Sequence, residues 1–136
     1  VDLVVVAGDV NSTLACSLVA SKLHIPLAHI EAGLRSFDRE MPEEINRIVT
    51  DSLSDYLFTT CEDANKNLLK EGCAPEKIHF VGNLMIDTLC LMLPKARASS
   101  IHQDLACPPT YGLITLHRPS NVDSPATFSG ILDALE

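Results

Sequence analysis

HIEAGLRSFDREMPEEINR, residues 29–47, decides how the rest of the chain is read. It follows the apolar run Pro26–Ile30, so Glu31 stands at the carboxyl end of a strand. Pro42 fits the first turn of a helix, because the N–H it lacks would have no intrahelical partner there. Ile45, Ile48, Val49 and Leu53 then recur at helical spacing as the expected buried stripe, which leaves Glu43, Asn46, Arg47 and Thr50 on the other side. Charge this dense beside a strand end (His29, Glu31, Arg35, Asp38, Arg39, Glu40, Glu43, Glu44 and Arg47) is more than a core connection needs, and it reads as a polar site at a sheet edge.

Upstream, VDLVVVA is a valine-rich run suited to a parallel strand covered on both faces, ending at Gly8-Asp9. Asn11 or Ser12 is positioned to cap a helix to about Leu23. Downstream, Asp55–Thr59 reads as a strand, Thr60 with Asp63 as a capping box, Gly72 as a helix stop and Lys77–Val81 as a fourth strand. Strand and helix alternate throughout, the pattern of a parallel, doubly wound α/β sheet. Right-handed crossovers bring the strands' carboxyl ends, and with them Asp9, Glu31 and the loop to Glu43, to one edge.

Leu84–Leu93 is a helical pattern that Pro94 is expected to stop. The broken, polar KARASSIHQDLACPPT then reads as a linker. Tyr111–Leu116 is expected to be a strand, with His117-Arg118 at its end, and Ser124-Pro125 to open a final helix. The expected division is 1–83, the second half of one Rossmann-like domain; 84–110, a crossover helix and linker; and 111–136, the start of a second such domain. Both domains are expected to be incomplete, the sequence being an internal stretch of a longer chain.

The chain has 136 residues, 46% of them apolar and 21% charged, with a net charge of −8. That acidity argues against nucleic acid or an anionic membrane as partner. No apolar run reaches the roughly 20 residues that a membrane span needs. Five cysteines without a CxxC pair suggest neither zinc nor a redox couple; they read as reduced thiols of a cytoplasmic protein.

Carboxylates at the ends of parallel strands suit proton transfer, since partial burial and a neighbouring carboxylate raise one pKa toward neutrality. The plainer reading is that Asp9 caps a helix and Glu31 pairs with Arg35. Glu43 and Glu44 both have helical spacing to Arg47, and pattern does not choose between them. Arg35, Arg39 and Arg47 could bind phosphate or balance charge. His117-Arg118 beside a helix start favours an anion such as a diphosphate. His29, inside its strand, reads as a core residue.

GDVNSTLA, HIEAGLRS, MPEEINR, VGNLMID and TLHRPSN, in this order, resemble the non-hydrolysing UDP-N-acetylglucosamine 2-epimerases, and the likeness covers nearly the whole chain. It implies a glycosyltransferase-B arrangement of two Rossmann-like domains and reversible conversion of UDP-N-acetylglucosamine to UDP-N-acetylmannosamine. UDP is eliminated and re-added through a 2-acetamidoglucal. By motif it implies Asp9, Glu31 and Glu43 as acid/base groups and His117 at the UDP site, with Arg118 touching the diphosphate and Arg47 supporting Glu43. It calls for no cofactor and no metal, and a homodimer is expected of the full-length protein. A hydrolysing epimerase ranks lower, because its HxHGGE-like motif is replaced here by HIEAGLRS. A UDP-sugar glycosyltransferase of the same fold and a non-catalytic nucleotide-sugar binding module compete with it as well.

Overall fold

A computed structural model describes residues 1–135; Glu136, the last residue of the expected third segment, lies outside the described residues. The chain divides into two compact units, Val1–Pro94 and a second beginning at Lys95.

In the first unit β1 (Val4–Ala7), β2 (Leu27–Ala32), β3 (Tyr56–Thr59) and β4 (Ile78–Phe80) form one parallel sheet in the order β1-β2-β3-β4. Between them run α1 (Asn11–Lys22), α2 (Pro42–Leu53) and α3 (Glu62–Lys70). The order advances without reversal, so right-handed crossovers set all three helices on one face. The three helices between these strands therefore cover one face of the sheet. Val6 is buried against Ala20 and Leu27 on the helix side, whereas Val5 on the opposite face is 54% exposed. A second small core joins Ala32, Leu57 and Leu68 beneath α3.

The capping details differ from the expected ones. Val10 precedes α1 and Cys61 precedes α3, neither with a side-chain cap, so the Thr60/Asp63 box does not form. Thr13 instead donates its hydroxyl to the Ala7 carbonyl at 2.8 Å, tying the first turn of α1 to the end of β1. Gly72 does end the α3 segment, at φ +88°.

The face of α2 is the larger correction. Its buried residues are Glu44, Asn46, Thr50 and Asp51, while Ile45, Ile48, Val49 and Leu53 are only half-buried. Helical periodicity identifies a stripe, but buried polar groups with long-range partners can outcompete it for the sheet.

Pro94 does not stop its helix: α4 runs Leu84–Arg97 with the proline inside. A proline forfeits one backbone hydrogen bond, a loss that a helix of 14 residues absorbs. In the second unit, α5 (Ile101–Asp104) occupies part of the expected linker, followed by α6 (Pro119–Val122) and α7 (Pro125–Asp133). Ser124 caps α7 as expected, accepting from the Thr127 N–H at 3.3 Å. The strand expected at Tyr111–Leu116 is absent. Strand backbone needs a neighbour for its donors and acceptors, and the described residues of this unit offer none.

Candidate functional site at the carboxyl edge of the sheet

Two adjacent strands end in left-handed backbone. Gly8, after β1, has φ +68°, which costs glycine nothing. Glu31, in β2, has φ +74°, which for a side chain bearing a Cβ costs about 1–2 kcal/mol. The cause is a bulge: Ile30 pairs with Phe58 and Ala32 with Thr59, so Glu31 is left over between them. Strain kept at one carboxylate, at the edge where such sheets bind ligands, marks that carboxylate as a functional candidate. Its Oε2 lies alongside Gly8, 3.9 Å from where a Cβ on that residue would be. Among the described residues Glu31 enters no salt bridge, which overturns the plainer reading of a Glu31–Arg35 pair. A cavity of about 180 Å³ opens beside it, lined by Ala7, Ile30, Glu31, Phe58, Thr60 and Asn83 among others.

Asp9 is half-exposed and held by Arg47, whose Nε and Nη2 lie 2.9 and 2.7 Å from its Oδ2. Asn46 anchors the same turn, donating to the Asp9 carbonyl at 2.8 Å and to the Asn11 side chain at 3.0 Å. The structure also separates the two glutamates that sequence left tied. Glu44 is 1% exposed; it accepts from the backbone N–H groups of Ser36 (3.0 Å) and Phe37 (2.9 Å) and from Arg47 Nη1 (2.8 Å). Burial pushes the Glu44 carboxyl up, but these donors outweigh it and hold it below the usual carboxylate range. Burial likewise pulls the Arg47 guanidinium down, and its bonds to Asp9 and Glu44 more than restore it. Glu43 is exposed on the first turn of α2 and enters no salt bridge among the described residues.

Beneath this edge lies a buried ionic chain that pattern reading missed. His29 is fully buried, with Nδ1 2.6 Å from Asp51 Oδ1 and Nε2 2.9 Å from the Gly8 carbonyl oxygen. The other oxygen of Asp51 accepts from the Gly33 N–H at 3.0 Å and lies 2.8 Å from Arg35 Nη1. Arg35 then reaches Glu71 through Nε (2.8 Å) and Nη2 (2.6 Å). Burial pulls the Arg35 guanidinium down, but Glu71 and Asp51 raise it well above its ordinary value, so it stays charged. The available signal was His29 itself: a histidine inside an apolar strand implies a buried acceptor elsewhere in the chain. Among the described residues no group of His, Cys, Asp and Glu is placed to hold a metal ion.

In the second unit His117 and Arg118 are exposed. Arg118 immediately precedes α6, its carbonyl accepting from the Asn121 N–H at 2.8 Å.

The first unit is thus an α/β parallel sheet with Asp9 and Glu31 at the edge where open sheets of this kind bind ligands. The whole chain, residues 1–136, matches the family described as UDP-N-acetylglucosamine 2-epimerase, and it belongs to that family. It is 47% identical over 138 residues to the UDP-N-acetylglucosamine 2-epimerase of Methanocaldococcus jannaschii, covering 98% of this chain and 38% of the relative. It is also 48% identical over 134 residues to the UDP-2,3-diacetamido-2,3-dideoxy-D-glucuronate 2-epimerase of Pseudomonas aeruginosa, covering 97% and 37%. The crystal structure of the M. jannaschii enzyme in complex with UDP-GlcNAc and UDP superposes with a TM-score of 0.88 at 48% identity, over 98% of this chain and 38% of that one. The chain therefore spans a little over a third of the length of the relatives it matches. Among its described residues no helix is long and apolar enough to cross a membrane.

Proposed function

We propose that the protein containing this chain interconverts UDP-N-acetylglucosamine and UDP-N-acetylmannosamine without hydrolysis. A carboxylate takes the C2 proton, the C1–O bond breaks, and UDP leaves with the bonding pair as C1=C2 forms. The 2-acetamidoglucal stays bound. A second carboxylate then protonates C2 from the opposite face, and a β-phosphate oxygen of UDP re-forms the bond to C1. One proton leaves C2 and another replaces it with no net change in oxidation state, so the reaction consumes no cofactor.

The observation that carries this reading is the strained Glu31 carboxylate, free of cation partners, beside Gly8-Asp9. Acid/base duty is assigned to Asp9, Glu31 and Glu43, with His117 at the departing UDP. Glu43 is preferred to Glu44 because the latter's oxygens are already engaged by three donors. His117 and Arg118 would bind the diphosphate. Arg47, paired with Asp9 and Glu44, acts in substrate binding by setting the edge on which the sugar rests.

Residues 1–83 are read as half of a first Rossmann-like domain, 84–110 as a crossover and 111–136 as the opening of a second, in a protein acting as a homodimer. The five free cysteines support a reducing compartment, the cytoplasm.

The test incubates the intact protein with UDP-N-acetylglucosamine in D2O. A mixture of the two UDP-sugars with deuterium at C2 is expected. Free N-acetylmannosamine with UDP as the end products would replace this reading with the hydrolysing one.

A second reading, 2-epimerisation of a UDP-2,3-diacetamido-2,3-dideoxyglucuronate, is favoured by the 48% identity to the P. aeruginosa enzyme. The C2 chemistry is the same, and comparing kcat/KM for the two sugars decides between them.

A further inference from the structure

The carboxylates at the sheet edge need fixed positions, and the two turns that carry Asp9 and Glu31 are both tied to one buried side chain of α2. Asp51 is 2% exposed. Through Oδ2 it accepts the Gly33 N–H, two residues beyond Glu31; through Oδ1 it holds His29, whose far nitrogen faces the Gly8 carbonyl, next to Asp9. Each contact of the His29 ring is with an oxygen. A peptide carbonyl only accepts, so Nε2 must donate. The 2.6 Å contact to Asp51 contains one further hydrogen; the other Asp51 oxygen already accepts from the Gly33 N–H and faces Arg35 at 2.8 Å, so Asp51 is the acceptor here too and Nδ1 the donor.

We propose that the His29 ring donates from both nitrogens, Nε2 to the Gly8 carbonyl and Nδ1 to Asp51, and that Asp51 and His29 are positioning residues for the proposed epimerisation, bracing the Gly8-Asp9 turn and the Glu31 bulge from beneath. The buried Arg35 guanidinium links the cluster outward, facing Asp51 on one side and the exposed Glu71 on the other, so the buried polar groups of the cluster all have partners. Neither residue is part of the lining of the cavity at Glu31; both act through backbone they hold.

The kinetic part of this inference rests on the epimerase reading, and the protonation part does not, so two readouts separate them. In ¹⁵N NMR of the intact protein at pH 7.5, both ring nitrogens of His29 are expected to carry hydrogen; an unprotonated ring nitrogen overturns the proposal. In C2 exchange and epimerisation assays, Asp51→Asn is expected to lower kcat by about 10²-fold, the order that a displacement of about 1 Å produces, with KM changed by no more than about two-fold. An unchanged kcat overturns the positioning role, as does a loss confined to KM. If Asp51→Asn does not fold, His29→Gln, which keeps a donor toward Gly8 and loses the Asp51 contact, is measured against the same expectations. Wild-type protein that epimerises neither UDP-sugar would defeat the functional reading, while the NMR result would still decide the state of His29.

Discussion

Arg47 clasps Asp9 with two nitrogens and Glu44 with a third, at 2.9, 2.7 and 2.8 Å, so one guanidinium joins the turn after β1 to the first turn of α2. Lysine has a single charged nitrogen and cannot reproduce this fork. Arg47→Lys is expected to lower stability by about 1–2 kcal/mol, the pair being partly solvated, as measured by urea denaturation. Activity should fall further than stability alone explains, because Asp9 loses its fixed orientation.

Glu43 and Glu44 should separate cleanly. Glu44→Gln leaves two backbone N–H groups competing for one carbonyl oxygen and is expected to cost about 1–3 kcal/mol. Glu43→Gln, on an exposed turn, should alter stability by no more than about 0.5 kcal/mol while reducing kcat by about 10²–10⁴-fold. Denaturation midpoints and turnover measured on both variants would expose an exchange of roles.

The lowered pKa of Glu44 also fixes the sign of an acid effect. A carboxyl that ionises more readily folded than unfolded contributes stability that is fully present above the unfolded value, about 4.3, and is lost as pH falls through the lower folded one. Wild-type stability should therefore decline below about pH 4, and Glu44→Gln should show a shallower decline. Equilibrium denaturation from pH 3 to 7 measures the difference.

Glu31→Gly should give a more stable, inactive protein. Relief of the left-handed backbone contributes about 1–2 kcal/mol, and the added freedom of glycine when unfolded takes back about 0.5–1 kcal/mol, leaving a gain of up to about 1.5 kcal/mol. A fall in melting temperature would show that the bulge carries no such strain.

Gly33→Ala should be damaging. Gly33 has φ +80°, and an added Cβ would lie 2.6 Å from the Ala64 carbonyl oxygen, a backbone atom of α3 that cannot swing aside. A loss above about 2 kcal/mol is expected in thermal or urea unfolding.

The strands were legible because Val4–Ala7 and Leu27–Ala32 combine apolar runs with turn residues at their ends, and Pro42 announced α2 at its first residue. The motif positions of Asp9 and Glu31 could be read for the same reason: they follow directly from where strands stop. The orientation of α2 could not. Asp51 lies inside because His29 and Gly33 meet it from 22 and 18 residues away, and periodicity carries no such information. The choice of Glu44 as the engaged glutamate depends likewise on a loop, Ser36-Phe37, whose backbone donors no side-chain pattern announces. Tyr111–Leu116 has a strand's composition, and what decides its conformation is the neighbour available to it.

The inverted face of α2 has a mechanical meaning. Aliphatic surfaces grip without direction, and a helix seated on them can creep or roll by a fraction of a turn at little expense. Hydrogen bonds aimed at single atoms, from Asn46 to the Asp9 carbonyl and from Gly33 to Asp51, act as pins. A pinned helix presents its first turn, and Glu43 on it, at the same height and angle above the sheet each time a substrate arrives.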